Sequence, residues 1–287
     1  LTSPVVALNG VNIGDALVRA QFKEGQEVKE LEAHVYPASR ADELALMIPD
    51  IEWLEEHPIV GYQLANTGGG VHPLATDEAH IRFFEKLWPE LQPDIGVLYF
   101  KGIDRVGHLA DPTSRTGSVT GGSVSSSGFI ELGPTWIGDY YSYIDTVLGR
   151  LMSQIDPADT TVVLASDHGF EVLSEESEWP SRHRDPGVLM GWGQLVQPGV
   201  GYSTVNQFDL GVTLFALSGL APGEDSHGRL LTELFALSDA PEPLGSWILS
   251  QPLSPVSGSE QSQSADAQVE ELKALGYLDE SGRETRD

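Results

Sequence analysis

The sequence predicts an α/β fold with a mostly parallel central sheet flanked by helices. Three observations predict it. Short, continuous apolar runs stand at Asp94–Phe100, Thr161–Ala165 and Gly187–Gly191, the pattern of strands buried on both faces. Stretches with apolar residues at helical spacing precede the first two runs. With 287 residues, 40% of them hydrophobic, the chain is large enough to enclose the core of one sizeable α/β domain.

The elements follow in order. Residues 1–30 show no firm periodicity. Past Tyr36-Pro37, Ser39 is placed to cap a helix to about Met47, and Asp50 a second through Glu56. Thr67-Gly68-Gly69-Gly70 reads as a turn. Ala75–Leu91 is an amphipathic helix with Ile81, Phe84, Leu87 and Leu91 on one stripe, ended by Pro93. After the first apolar run, residues 112–128 are rich in Ser, Thr and Gly and read as an exposed loop. Trp136–Ile155 is the next helix, with Tyr140, Ile144, Val147, Leu151 and Ile155 aligned. Asp209 is placed to cap a helix over Leu210–Leu217 that Gly219 terminates. Residues 1–249 thus form one core, 250–265 a Ser/Gln/Pro-rich linker, and 266–287 a tail with a short helix at Val269–Leu275.

Charge and composition exclude several functions. Forty-three acidic residues against sixteen basic ones give a net charge of −27. Such a surface offers no basic face for nucleic-acid phosphates or anionic lipid. No apolar run approaches the roughly 18 residues of a membrane span. Without cysteine there is neither a disulfide framework nor a zinc–thiolate site, so any metal is held by His, Asp or Glu. The chain opens on Leu1-Thr2-Ser3-Pro4, without Met or a signal-peptide core, and reads as part of a longer or processed protein.

The chemistry concentrates beside the apolar runs. Asp104-Arg105-Val106-Gly107-His108 follows the first, and Ser166-Asp167-His168-Gly169 the second. Ser181-Arg182-His183-Arg184-Asp185-Pro186 precedes the third. Ligands of parallel α/β sheets sit at the carboxyl ends of strands, so the first two clusters converge on one edge. His183 joins them only if its strand runs antiparallel or its loop folds back. Asp104 and His108, four apart, share a face on a helical turn. Taken singly, each cluster has an ordinary reading: a capping Asp, a βα turn, a solvated His. Taken together, two carboxylates and three imidazoles suit zinc or manganese. Five ligands exceed the usual three of one catalytic zinc and suit two ions, which clamp the attacking and leaving oxygens of a phosphoryl displacement. His34, His57, His72, His80 and His227 lack such company and read as surface residues, as do Lys101 and Arg105.

Asp104-x-x-Gly107-His108, then Ser166-Asp167-His168-Gly169, then His183 before a Gly-led strand, resembles the metal-ligand order of the alkaline phosphatase superfamily. The nearest resemblance is to its type I phosphodiesterase/nucleotide pyrophosphatase branch. Tyr140-Tyr141-x-x-Ile144-Asp145, Asp209-x-x-x-Thr213-Leu214, His227-Gly228-Arg229-Leu230-Leu231 and Leu272-Lys273-Ala274-Leu275-Gly276-Tyr277 also resemble that branch, so the likeness covers most of residues 30–280. It implies an alkaline phosphatase-like fold, two divalent ions (zinc, or manganese) and hydrolysis of small phosphate mono- or diesters. It also implies Asp104, His108 and His183 as ligands of one ion, and Asp167 and His168 of the other. Sulfatases and phosphomutases share such a site, and a non-catalytic metal-binding fragment is the third reading. The family further needs a strand ending in Asp-Gly and a Ser or Thr nucleophile ahead of Asp104. Neither is evident in residues 1–100, where Thr67 is the one tempting nucleophile, so the chain reads as the C-terminal part of such a protein. The Ser/Gly-rich loop after His108 also departs from the family pattern.

Overall fold

The computed structural model describes residues 10–14, 17–18, 34–57, 73–109, 136–172, 181–201 and 204–237. Thr67, loop 112–128, linker 250–265 and tail 266–287 lie outside the described residues, as does His72. The described helices are α1 (Ala41–Ala45), α2 (Ile51–Glu56), α3 (Pro73–Leu91), α4 (Gly102–Leu109), α5 (Trp136–Ser153) and α6 (Gln207–Leu217). The strands are β1 (Asn12–Ile13), β2 (Val35–Tyr36), β3 (Thr161–Ala165), β4 (Gly169–Val172), β5 (Ser181–Arg184) and β6 (Leu189–Gly193).

Helix α3 organises the core. One flank buries Leu74, Ala75, Ile81 and Phe84 against Val106 of α4 and Tyr140, Tyr143, Ile144, Val147 and Leu151 of α5. The other buries Ala79 and Phe83 against Leu17, Val18, Val35, Ala41, Leu44 and Ile48. A helix buried on two sides must still house its charged residues, and α3 does so by pairing them. Glu78, almost wholly buried, accepts from Arg82 Nε at 2.8 Å, Arg150 at 2.7 Å and the Tyr143 hydroxyl at 3.1 Å. Arg150 of α5 also forks onto Glu85 at 2.9 and 2.7 Å, so its planar guanidinium ties α5 to α3 at two points.

Local signals account for the helix ends. Asp50 caps α2 as expected, its carboxylate accepting from Trp53 N–H at 2.8 Å. Ser39 does not cap α1: it lies inside a 3-10 turn at Ala38–Arg40 that leads straight into the helix. Helix α6 starts before the expected Asp209 cap. Asn206 caps it, accepting from Phe208 N–H at 3.0 Å, while Asp209 reaches back to Asn206 N–H at 3.1 Å. An Asn at the cap and an acid three residues on satisfy two of the four orphan donors together. Gly219, at φ 70°, closes the far end as expected.

The sheets differ from the expected parallel arrangement. Among the described residues there are three two-stranded sheets, β1–β2, β3–β6 and β4–β5, each antiparallel. The 161–165 run forms β3, and the third apolar run forms β6, displaced two residues along to Leu189–Gly193. β6 runs antiparallel to β3, with Thr161 opposite Gly193 and Ala165 opposite Leu189. This is the direction that carries His183 back towards the end of β3. The 94–100 run is extended but enters no ladder among the described residues. It buries one face rather than two. Leu98 and Phe100 pack on the α3–α5 core and Gly96 lies against the Trp88 ring, while Val97 is 88% exposed and Tyr99 64%. Side chains of an extended segment alternate, so a single packed neighbour, here α3, shelters only every second residue. His80 of α3 fixes the segment through its Nδ1, 2.8 Å from the Tyr99 carbonyl oxygen, and is therefore not the free surface histidine expected. His57 is likewise half-buried, between the Trp53 and Tyr143 rings, and burial lowers its pKa.

Candidate metal centre

Three elements meet at the centre. Helix α4 supplies Asp104 in its first turn, where the amide dipoles favour a carboxylate. The Ser166–His168 link between β3 and β4 supplies Asp167 and His168. Strand β5 supplies His183, directly opposite Phe170 of β4.

Each is held by identifiable contacts. Ser166 extends the β3–β6 ladder by one residue: its N–H donates to the Val188 carbonyl at 2.9 Å, and its hydroxyl accepts from Val188 N–H at 2.8 Å. The Asp167 carbonyl accepts from Gln207 Nε2, at the start of α6, at 2.7 Å. The β4–β5 pair docks onto α4 through Phe170, whose ring rests where any side chain at Gly107 would stand. That close approach explains the glycine in the Asp-x-x-Gly-His motif. His183 and Phe170 share one face of the pair. Arg182 and Arg184 share the other, where both bond Glu171, at 3.0 and 2.6 Å. Arg184, and then Arg182, hold the Glu171 carboxyl below the ordinary glutamate range. The two arginines flanking His183 thus face away from the centre.

His183 Nε2 lies 3.0 Å from Asp104 Oδ1, and His168 Nε2 lies 3.9 Å from the same oxygen. The two imidazoles stack with centroids 3.7 Å apart and planes at 19°. One ligand atom from each of Asp104, His168 and His183 falls within 4.8 Å of the others, and all three side chains are partly buried. Asp167 stands on the open side, its Oδ1 3.6 Å from His168 Nε2. The Nδ1 of His168 is 2.9 Å from the Gly169 carbonyl oxygen. Protonated there, the ring donates to that carbonyl and keeps the Nε2 lone pair aimed at the cluster, the usual arrangement of a metal-ligating histidine. Two imidazole nitrogens and one carboxylate oxygen, with no thiol, suit a borderline divalent cation such as zinc or manganese.

Of the five residues singled out from sequence, Asp104, His168 and His183 come together and Asp167 borders them. His108 stands in α4, one turn after Asp104; its side chain lies outside the described residues. His168, grouped with Asp167 by sequence order, stacks on His183 and shares its carboxylate neighbour. Lys101, expected in solvent, is buried. Sequence reasoning missed Phe170 and Gln207, which position β5 and Asp167. Phe170 lies in β4 and Gln207 opens α6, and an aromatic or an amide at such positions has many ordinary readings.

A carboxylate and two histidines gathered where α4, the β3–β4 link and β5 meet form a group that could hold a divalent cation. Residues 27–209 match the family of type I phosphodiesterases/nucleotide pyrophosphatases, and the chain belongs to that family, within the alkaline phosphatase superfamily. No curated protein and no solved structure matches the chain. The family is metal-dependent, acts on small phosphate esters and has an alkaline phosphatase-like α/β fold. No helix among the described residues is long and apolar enough to cross a membrane.

Proposed function

We propose that the chain carries the metal-holding part of a hydrolase of phosphate mono- or diesters, centred on Asp104, His168 and His183. The observation that carries this reading is the convergence of Nε2 atoms from both histidines on Asp104 Oδ1, at 3.0 and 3.9 Å. In this reading His108 and Asp167 complete a set of five ligands for two divalent ions, zinc or manganese. Residues 1–249 form the catalytic core, with 266–287 as an appended tail.

Bound cations supply Lewis acidity to the phosphoryl oxygens and charge for the leaving oxygen. The chain's own residues set the rest. Asp104 contributes the negative charge that draws a cation to the two imidazoles. The Gly169 carbonyl fixes the tautomer of His168, and the Phe170–Gly107 contact fixes His183. Asp167, more open, borders the side from which an ester can approach. The family's attacking Ser or Thr is assigned to no residue of this chain, so a trace of turnover is expected.

The test is release of p-nitrophenolate from bis(p-nitrophenyl) phosphate, p-nitrophenyl phosphate and p-nitrophenyl sulfate, with zinc or manganese and then with a chelator. The expected result is slow cleavage of the phosphate esters that stops on chelation and is lost in His183→Ala. Cleavage that survives chelation, or a preference for the sulfate ester, would overturn the reading.

A further inference from the structure

Asp77 is the least expected residue of α3. It sits four residues before Ile81, on the apolar stripe, and its relative exposure is 0%. A carboxylate in such a position is costly unless it does something that an apolar residue cannot. Its Oδ2 accepts from two donors, the Tyr140 hydroxyl of α5 at 2.8 Å and the backbone N–H of Gly102 at 3.1 Å. Gly102 is the first residue of α4, two before Asp104. The fit around it is close. A Cβ on Gly102 would stand inside contact distance of both the Tyr140 hydroxyl and Asp77 Oδ2, so only glycine lets the backbone reach the carboxylate. The first N–H groups of a helix have no intrahelical acceptor, and a buried helix start needs one from outside.

We propose that Asp77 is a positioning residue for the metal centre: with Tyr140 it clamps the first turn of α4, and so sets where Asp104 points relative to His168 and His183. The clamp rests on the reading of that centre for its consequence, but not for its existence.

Burial pushes the Asp77 carboxyl up to about 6 from 3.8, against the lowering effects of the Tyr140 hydroxyl, His80 and the backbone amides of Gly102 and Lys101. The groups that face it are His80 from α3 itself, Tyr140 and Tyr143 from α5, and the amides of the 101–102 link. Because the folded-state pKa lies above the unfolded one, the folded protein holds this proton more tightly. The stability that the proton contributes is full below about pH 4 and is lost as pH rises through about 6. At neutral pH, then, the charged carboxylate is kept at a cost in stability. A residue serving packing alone would not be kept on those terms.

The experiment compares wild type, Asp77→Ala, Asp77→Asn and Tyr140→Phe. Three readouts are taken: amide hydrogen exchange at Gly102–Arg105, zinc affinity by competition with a chromophoric chelator well below the melting temperature, and the melting temperature between about pH 4 and pH 7. Asp77→Ala is expected to speed exchange at Gly102–Arg105 and to weaken zinc binding by about 10- to 100-fold, the usual cost of a lost supporting contact. Asp77→Asn, whose amide oxygen still accepts from both donors, is expected to restore most of the affinity and to flatten the fall in melting temperature through pH 6. Tyr140→Phe is expected to fall between them. Unchanged exchange and affinity in Asp77→Ala would overturn the proposal, as would losses in Asp77→Ala and Asp77→Asn that merely follow their melting temperatures. If wild type itself binds no zinc, the reading of the metal centre fails. Exchange at Gly102 then decides the clamp alone, supporting it if faster in Asp77→Ala and overturning it if not.

Discussion

Asp104→Asn is expected to reduce zinc affinity by more than about 100-fold, and any metal-dependent turnover with it, while leaving the fold in place. The carboxylate is the one anionic member of the three-residue cluster, and its Oδ1 lies 3.0 Å from His183 Nε2 and 3.9 Å from His168 Nε2. An amide removes the charge and, in one of its two orientations, presents an NH2 to the imidazoles. Loss of a mere supporting contact costs about 10- to 100-fold in affinity, so loss of the shared donor costs more. The structural cost is small. Asp104 sits in the first turn of α4 with a quarter of its side chain in solvent, where its interaction with the helix dipole is worth about 0.3–1 kcal/mol. Chelator competition and a thermal melt on the same sample separate the two effects. A fall in affinity matched by an equal collapse in stability would mean that Asp104 is structural.

Gly193→Ala is expected to destabilise the protein by on the order of 4 kcal/mol, read by chemical denaturation. Gly193 ends β6 opposite Thr161, with φ 106°, in the region that L side chains rarely adopt. A Cβ there would also stand on the Thr160 carbonyl oxygen, a backbone atom that cannot swing aside. Strain and overpacking therefore add. The β3–β6 ladder that Gly193 anchors carries Ser166, and through it His168, so zinc affinity is expected to fall in the surviving folded fraction as well. A loss under about 1 kcal/mol would mean that the ladder end bends freely.

Some of this was legible in the residues, and the reasons differ by element. Helices α3 and α5 follow from stripes that the core uses, Ile81 and Phe84 on one, Tyr140, Ile144, Val147 and Leu151 on the other. Period alone did not reveal that α3 is buried on two flanks, because Asp77 and Glu78 interrupt its apolar character and find their partners on α5. The cap of α6 was misread because an Asn–Asp pair three apart offers two candidate caps, and only the backbone shows which residue is extended.

The 94–100 run shows the limit of reading a continuous apolar segment as a strand buried on both faces. Composition does not say how many neighbours a segment finds, and here α3 shelters one face. The nearness of the Asp104 and Asp167-His168 clusters could be expected from their positions after apolar runs, whereas that of His183 hung on the antiparallel direction of β6. That His168 also reaches Asp104 and stacks on His183 could not be expected. His168 Nε2 stands between the two carboxylates, 3.6 Å from Asp167 Oδ1 and 3.9 Å from Asp104 Oδ1, and its reach to Asp104 depends on how the β4–β5 pair seats Phe170 on Gly107, a long-range contact with no local signature.

The most direct test of the shared centre is the position of a bound ion, found by anomalous scattering from crystals grown with zinc. The account predicts a zinc peak coordinated together by Asp104 Oδ1, His168 Nε2 and His183 Nε2, with Zn–N distances of about 2.0–2.1 Å. A protein that takes up zinc only at other residues, leaving Asp104 and His183 bonded to each other, would contradict it.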